Sequence, residues 1–150
     1  MSDDVKYMKI ALKQAKKAYK KGEVPIGAVI VSKGKIVAKA YNTREKSNLA
    51  IGHAEIMAIT KANKKLKTWR LEDCTLYVTI EPCPMCAGAI IQSRVKKVVY
   101  GAKDIKSGAH TSVTNLFDLK FNHHVQVKDG VMQKECGKII SVFFKELRKK

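Results

Sequence analysis

Pro25-Ile26-Gly27-Ala28-Val29-Ile30-Val31 is nearly continuous in apolar character and rich in β-branched side chains. A strand of this kind has no polar face to turn to water, so it belongs inside a sheet that is covered on both faces. Before it, Val5, Met8, Leu12, Ala15 and Tyr19 recur at three- and four-residue steps. They mark an amphipathic helix over residues 4–20 with a lysine-covered outer face, ended by Gly22. After it, Ser32-Lys33-Gly34-Lys35 reads as a turn and residues 36–41 as a returning strand, so the two strands form a hairpin.

Residues 42–52 are polar and irregular and read as a loop. Ile56, Ile59 and Ala62 predict a helix over residues 53–66, with lysines gathered at its C-terminal end as the helix dipole favours. Residues 75–80 alternate and form a third strand, which Pro82 ends. Residues 83–93 have the small, apolar character of a buried helix, and residues 97–100 make a fourth strand. Residues 101–122 read mostly as loop, with one helical turn near Leu116, and a short fifth strand is expected at residues 125–127. A last amphipathic helix over residues 133–149 carries Ile139, Ile140, Phe143, Phe144 and Leu147. There is no repeat and no linker, so residues 1–150 are expected to be a single domain. The fold class is α/β, with a mixed sheet, because a hairpin comes first and strands joined through helices follow.

The formal charge of +17 would concentrate polyanions at the surface. Nearly all of the excess is lysine, with arginine only at Arg44, Arg70, Arg94 and Arg148, so a merely solubilising surplus is the competing reading. Lys6, Lys9, Lys13, Lys16, Lys17 and Lys20 occupy the stretch where a secretory signal needs an uncharged core. No apolar run approaches membrane-spanning length, and the expected location is the cytoplasm. In that setting Cys83 and Cys86, two residues apart, point to metal binding or redox chemistry, whereas Cys74 and Cys136 read as small buried side chains.

Two expected helix starts carry metal-type motifs, His53-Ala54-Glu55 and Pro82-Cys83-Pro84-Met85-Cys86. Cysteines three apart on a helical turn face one point, and a helix N-terminus favours the thiolate. One histidine and two cysteines leave a zinc-type site an open fourth position for water, the mark of a catalytic site. Glu55, two residues from the ligand histidine, can stand beside that water as general base and then general acid. The alternative is a closed structural site with Cys74 or Cys136 as fourth ligand.

The His-x-Glu and Pro-Cys-x-x-Cys pair resembles the cytidine deaminase-like superfamily. The resemblance to one branch, the bacterial tRNA-specific adenosine deaminases, runs almost end to end. It is carried by residues 23–29, Asn42, residues 53–56, the stretch from Leu76 to Ile90, and residues 93–95, 98–102 and 106–109. It implies a three-layer α/β/α, cytidine deaminase-like fold with a five-stranded mixed sheet. It also implies a homodimer, one Zn2+ per subunit held by His53, Cys83 and Cys86, and a tRNA anticodon stem-loop whose wobble adenosine becomes inosine. The choice of zinc over another divalent metal rests on the resemblance alone. By the same pattern Asn42 hydrogen-bonds the flipped base, and Val24, Ile26 and the Ala54 backbone line its pocket.

The chain departs from the family pattern at Leu49-Ala50-Ile51-Gly52, where many members have Asp-Pro-Thr-Ala, and at His110-Thr111. Both stretches are expected to border the substrate entrance. Phe144 can stack on a nucleotide, and Lys145, Arg148, Lys149 and Lys150 can meet phosphates, although helical spacing equally allows a core aromatic and a solvated helix end. His123 and His124 read as surface residues without partners. Two rival functions are a free nucleobase deaminase acting on guanine or cytosine, and a non-catalytic zinc-stabilised RNA-binding module.

Overall fold

The computed structural model describes residues 3–149; Lys150, one of the expected phosphate contacts, lies outside them. The elements are α1 (Asp3–Lys20), β1 (Gly27–Ser32), β2 (Lys35–Tyr41), α2 (Arg44–Ser47), α3 (Ala54–Leu66), β3 (Cys74–Ile80), α4 (Pro84–Gln92), β4 (Lys97–Ala102), a 3-10 turn (Leu116–Asp118), β5 (Gln126–Lys128) and α5 (Gln133–Arg148). The five strands lie in the order β2-β1-β3-β4-β5. β1 is antiparallel to both β2 and β3, and β3, β4 and β5 run parallel, so the sheet is mixed as expected.

The apolar strands are explained by two cores, one on each face. Ala28, Ile30, Leu76, Val78, Val98 and Tyr100 point to the side of α3 and α4. Their neighbours Val29, Val31, Tyr77 and Val99 point to the side of α1 and α5. Alternate residues of one strand therefore enter different cores, which is why no polar period is visible in β1 or β3. Helix α1 lies so close to the sheet that a Cβ on Gly27 would overlap the backbone at Ala11 and Ala15, so only glycine fits there. Helices on both faces make three layers, α/β/α.

Several details differ from the sequence reading. The stretch 42–52 holds a short helix, α2, because Glu23 reaches its first N–H groups from 22 and 23 residues upstream. Strand β4 runs on through Gly101 to Ala102, paired with Ile80. His123 is not without a partner: its Nε2 lies 2.8 Å from the carbonyl oxygen of Val95. Phe143 is buried against Tyr19, with ring centroids 5.7 Å apart, while Phe144 next to it is 37% exposed.

Candidate active site

Pairing in the sheet brings several chain segments to one end. Gly27 pairs with Tyr41, Ala28 with Val78, and Ile80 with Ala102. The start of β1 therefore lies beside the ends of β2, β3 and β4. Val24 and Ile26 enter there and flank buried Pro25. Asn42 leaves β2, residues 81–83 leave β3, and residues 103–112 leave β4. His53 and Cys83 are the N-cap residues of α3 and α4, both with extended backbone (φ −88°, ψ 149° and φ −74°, ψ 172°). Pro84 pre-sets the first turn of α4, which also holds Cys86.

His53 Nδ1 lies 3.6 Å from Cys83 Sγ and 3.4 Å from Cys86 Sγ. The three donor atoms are all within 4.8 Å of one another. A tetrahedral zinc with bonds of about 2.1 Å to nitrogen and 2.3 Å to sulfur has nitrogen–sulfur edges of about 3.6 Å. The observed separations and the nitrogen-and-sulfur donor set therefore fit a metal of that kind. Among the described residues no other His, Cys, Asp or Glu joins the group. Cys74 and Cys136 are buried at the start of β3 and in α5, so neither closes the site as a fourth ligand. Burial pushes the Cys136 thiol up to about 12, an inert state for a cysteine.

Crowding sets the charge states. The Cys83 thiol is held down at about 4, chiefly because Cys86 hydrogen-bonds to it, helped by His53 and by the Cys86 backbone. Cys86 is pushed up in turn by Cys83 and by burial. His53 is raised by its contact with Cys83, against burial. Glu55 sits in the first turn of α3 and is only 3% exposed; burial raises its carboxyl to about 7, with the Cys83 charge adding to the rise. A buried carboxyl poised near neutrality beside a three-donor cluster is suited to taking and giving protons.

The rim is held by two buried glutamates that sequence reasoning noted only within longer matching stretches. Glu23, 1% exposed, accepts from the backbone N–H groups of Glu45 (3.0 Å) and Lys46 (2.7 Å), fixing the loop that follows Asn42. Glu81, also 1% exposed, accepts from Asp104 N (3.1 Å) through Oε1. Its Oε2 accepts from the backbone N–H groups of His110 (2.8 Å), Thr111 (3.0 Å) and Ser112 (3.2 Å), and Ser112 Oγ donates to Oε1 at 2.5 Å. Burial raises the Glu81 carboxyl, but these donors outweigh it and hold it down at about 2. A Cβ on Gly108 would fall inside this carboxylate, so the loop closes on Glu81 only with glycine there. The signal for both was present: each glutamate stands beside an apolar or proline-bounded strand edge, where an unpaired charge would not be tolerated.

Asn42 donates its backbone N–H to the carbonyl of Ile26 (3.1 Å), which joins two of the expected pocket residues. Its side chain is 4% exposed, and Oδ1 is buried without a hydrogen-bond partner. Ala54 is fully buried behind His53. Of the two departures from the family pattern, Leu49 and Ile51 are half-exposed on the segment leading to His53. His110 instead turns inward, its Nδ1 2.7 Å from the Tyr100 hydroxyl and its ring 6.2 Å from that of Phe117. Phe144, Lys145 and Arg148 are exposed on α5, which packs on α1, β3 and β4 on the face of the sheet opposite α3 and α4.

Comparison with known proteins agrees with this geometry. The MafB19-like deaminase family matches residues 2–148. The tRNA-specific adenosine deaminase of Bacillus subtilis (strain 168) is 56% identical over 151 aligned positions, covering 100% of this chain and 94% of that one. A solved structure from studies of A-to-I editing by tRNA:A34 deaminases superposes with a TM-score of 0.86 at 40% identity, covering 89% of this chain and 98% of the other. The guanine deaminase of Nitrosomonas europaea, at 22% identity and a TM-score of 0.81 over 93% of this chain and 83% of its own, shares the fold. The chain belongs to the MafB19-like deaminase family and to the tRNA-specific adenosine deaminases.

Proposed function

We propose that this chain, one deaminase domain over residues 1–150, hydrolyses the wobble adenosine of a tRNA anticodon loop to inosine and releases ammonia. The observation that carries the reading is the Glu55 carboxyl, buried in contact with Cys86 beside three donor atoms that fit a tetrahedral metal and have no fourth protein ligand among the described residues. His53, Cys83 and Cys86 would hold a zinc ion, one per subunit, and when bound it would supply Lewis acidity toward a water molecule. Glu55 takes a proton from that water as its oxygen bonds to the purine carbon bearing the exocyclic amine. It delivers this proton to the adjacent ring nitrogen and carries the second, taken from the new hydroxyl as the carbonyl forms, to the amine, which leaves as ammonia when the carbon–nitrogen bond breaks.

Asn42 Oδ1, buried and unpaired, accepts from the flipped base and gains the partner that the protein does not provide. Val24, Ile26 and the Ala54 backbone line the base pocket. A base within a stem cannot reach such a recess, whereas an anticodon-loop base is readily extruded. Phe144, Lys145 and Arg148 meet the RNA from the end of α5. The chain pairs with a second copy as a homodimer, for which half-exposed Val113, Leu119 and Phe121 supply apolar surface. No helix among the described residues is long and apolar enough to cross a membrane, and the proposed site of action is the cytoplasm.

The test is inosine formation in an adenosine-containing anticodon stem-loop, run beside free adenosine, guanine and cytosine, with Glu55→Ala as control. Deamination of the stem-loop alone, lost in the variant, is expected. Reaction of a free base without reaction of the stem-loop would overturn the substrate assignment while leaving the chemistry.

A further inference from the structure

Lys6, Lys9, Lys13, Lys16 and Lys20 recur along α1 at steps of three and four and are all exposed. At 100° per residue they fall within about 80° of one another, a single stripe about 21 Å long. No carboxylate follows Asp4 on this helix. The ion pairs among the described residues, Arg70–Glu72, Lys103–Asp129 and Lys128–Asp4, involve none of the five. Like charges at these spacings weaken a helix, so the stripe opposes the stability of the element that carries it.

Its placement relative to the active site gives it a use. Gly27, where β1 begins, lies level with Ala11 and Ala15. The last turn of α1 therefore projects past the same end of the sheet at which Val24, Asn42 and the donor cluster lie, although α1 packs on the face opposite α3 and α4. Beyond it, Glu23 grips the loop after Asn42. Lys9, Lys13 and Lys16 also rim a groove of about 660 Å³ between α1 and α5, whose far side carries Lys138 and a single acidic residue, Glu135. Tyr19 joins the two helices, donating its hydroxyl to the Glu146 carboxylate. A basic track thus begins at the catalytic end and runs away from it for the length of the helix.

We propose that this track binds the phosphodiester backbone of the helical stem that continues from the anticodon loop. The inference rests on the tRNA reading of the site. Lysine suits such contact because it is a mobile point charge that neutralises phosphates without reading bases, and double-stranded RNA is recognised mainly by backbone and shape. The composition fits too, because a surplus of lysine rather than arginine is what sequence-independent stem contact calls for.

The test compares wild type with the Lys9→Gln/Lys13→Gln/Lys16→Gln triple variant, with the corresponding Lys→Arg triple variant as charge-preserving control. Binding to full-length tRNA, and to an anticodon loop closed by only two base pairs, is read by fluorescence anisotropy over a salt series. For tRNA, the Gln variant is expected to lower the magnitude of the slope of log K against log salt by about 2–3 and to weaken binding about a hundredfold or more near 0.1 M salt. Binding of the short loop is expected to stay within twofold, and the Arg variant to behave as wild type. Equal slopes for wild type and the Gln variant on full-length tRNA would overturn the proposal and leave the groove to a protein partner; an equal loss on both RNAs would overturn the stem assignment. Anisotropy does not depend on turnover, so absence of inosine from both RNAs would count against the proposed reaction and leave the binding result standing.

Discussion

Glu81→Gln exchanges one carboxylate oxygen for an amide nitrogen in a site built entirely of donors. With the nitrogen in place of Oε2 it would face three backbone N–H groups, so the side chain takes the other orientation and faces Asp104 N–H and Ser112 Oγ. Ser112 Oγ can rotate and accept, but the Asp104 donor is left unpaired, at about 1–3 kcal/mol. The three bonds to the remaining oxygen lose their charge assistance, about 1 kcal/mol each. Relaxation of the loop recovers part of this, so a cost of roughly 3–5 kcal/mol is expected, a large share of a stability on the order of 5–15 kcal/mol. The loop over residues 104–112 then opens before the sheet does. Native-state hydrogen exchange should show the amides of Asp104, His110, Thr111 and Ser112 losing protection, and urea unfolding should shift to lower concentration. Ser112→Ala, which deletes one side-chain bond to the carboxylate, should cost less, about 1.5–2 kcal/mol. If those four amides keep their protection in Glu81→Gln and unfolding shifts by less than about 1 kcal/mol, the anchoring role assigned to Glu81 is wrong.

Asn42→Ala should leave thermal stability within about 1 kcal/mol, because Oδ1 has no protein partner to lose, while kcat/KM on an RNA substrate falls about a hundredfold or more. A matching fall in both stability and activity would mean that Asn42 is structural. Asp4 is partly buried, which alone would raise its carboxyl. Hydrogen bonds to Lys128 (2.6 Å) and Tyr77 (2.9 Å) lower it instead. Its contribution is therefore complete above its ordinary value and is lost as the pH falls through the lower folded value. Asp4→Asn should destabilise by about 1 kcal/mol at pH 7, since Lys128 is half-exposed, and by progressively less in urea titrations taken below pH 4. Cys86→Ser should reduce bound metal, measured by elemental analysis, from about one per chain to a small fraction, with deamination falling in parallel; metal content equal to wild type would remove Cys86 from the ligand set.

Periodicity made the framework legible. The apolar steps of α1 and the unbroken run of β1 predict a helix laid on a central strand, and Gly27 packed against Ala11 and Ala15 is that arrangement at atomic scale. The spacing of His53, Cys83 and Cys86 likewise predicts the donor cluster, because N-cap positions and a shared helical turn are local geometry. What stayed hidden depends on distant partners. Residues 44–47 carry no apolar period, and their helix exists because Glu23 caps it from outside. Gly101 interrupts the apolar pattern of β4, yet the strand continues because Glu81 N–H pairs with the Ala102 carbonyl. His110 reads in sequence as a change at the entrance, whereas Tyr100 and Phe117 draw its ring inward. In each case the deciding contact comes from another element of the fold, beyond the reach of local periodicity.

The two buried glutamates divide the molecule into parts that can change at different rates. Each rim loop is fastened to the scaffold by one side chain acting on backbone N–H groups, and backbone groups are the same whatever side chains the loop carries. Residues 49–51 and 110–111 can therefore vary in chemistry while the anchor, the sheet and the metal donors stay fixed; Gly52 cannot, because a Cβ there would meet the Arg44 backbone. An old catalytic centre can meet new RNA contexts through such loops, and an engineer can exchange them as cassettes so long as Glu23, Glu81 and Gly108 are kept.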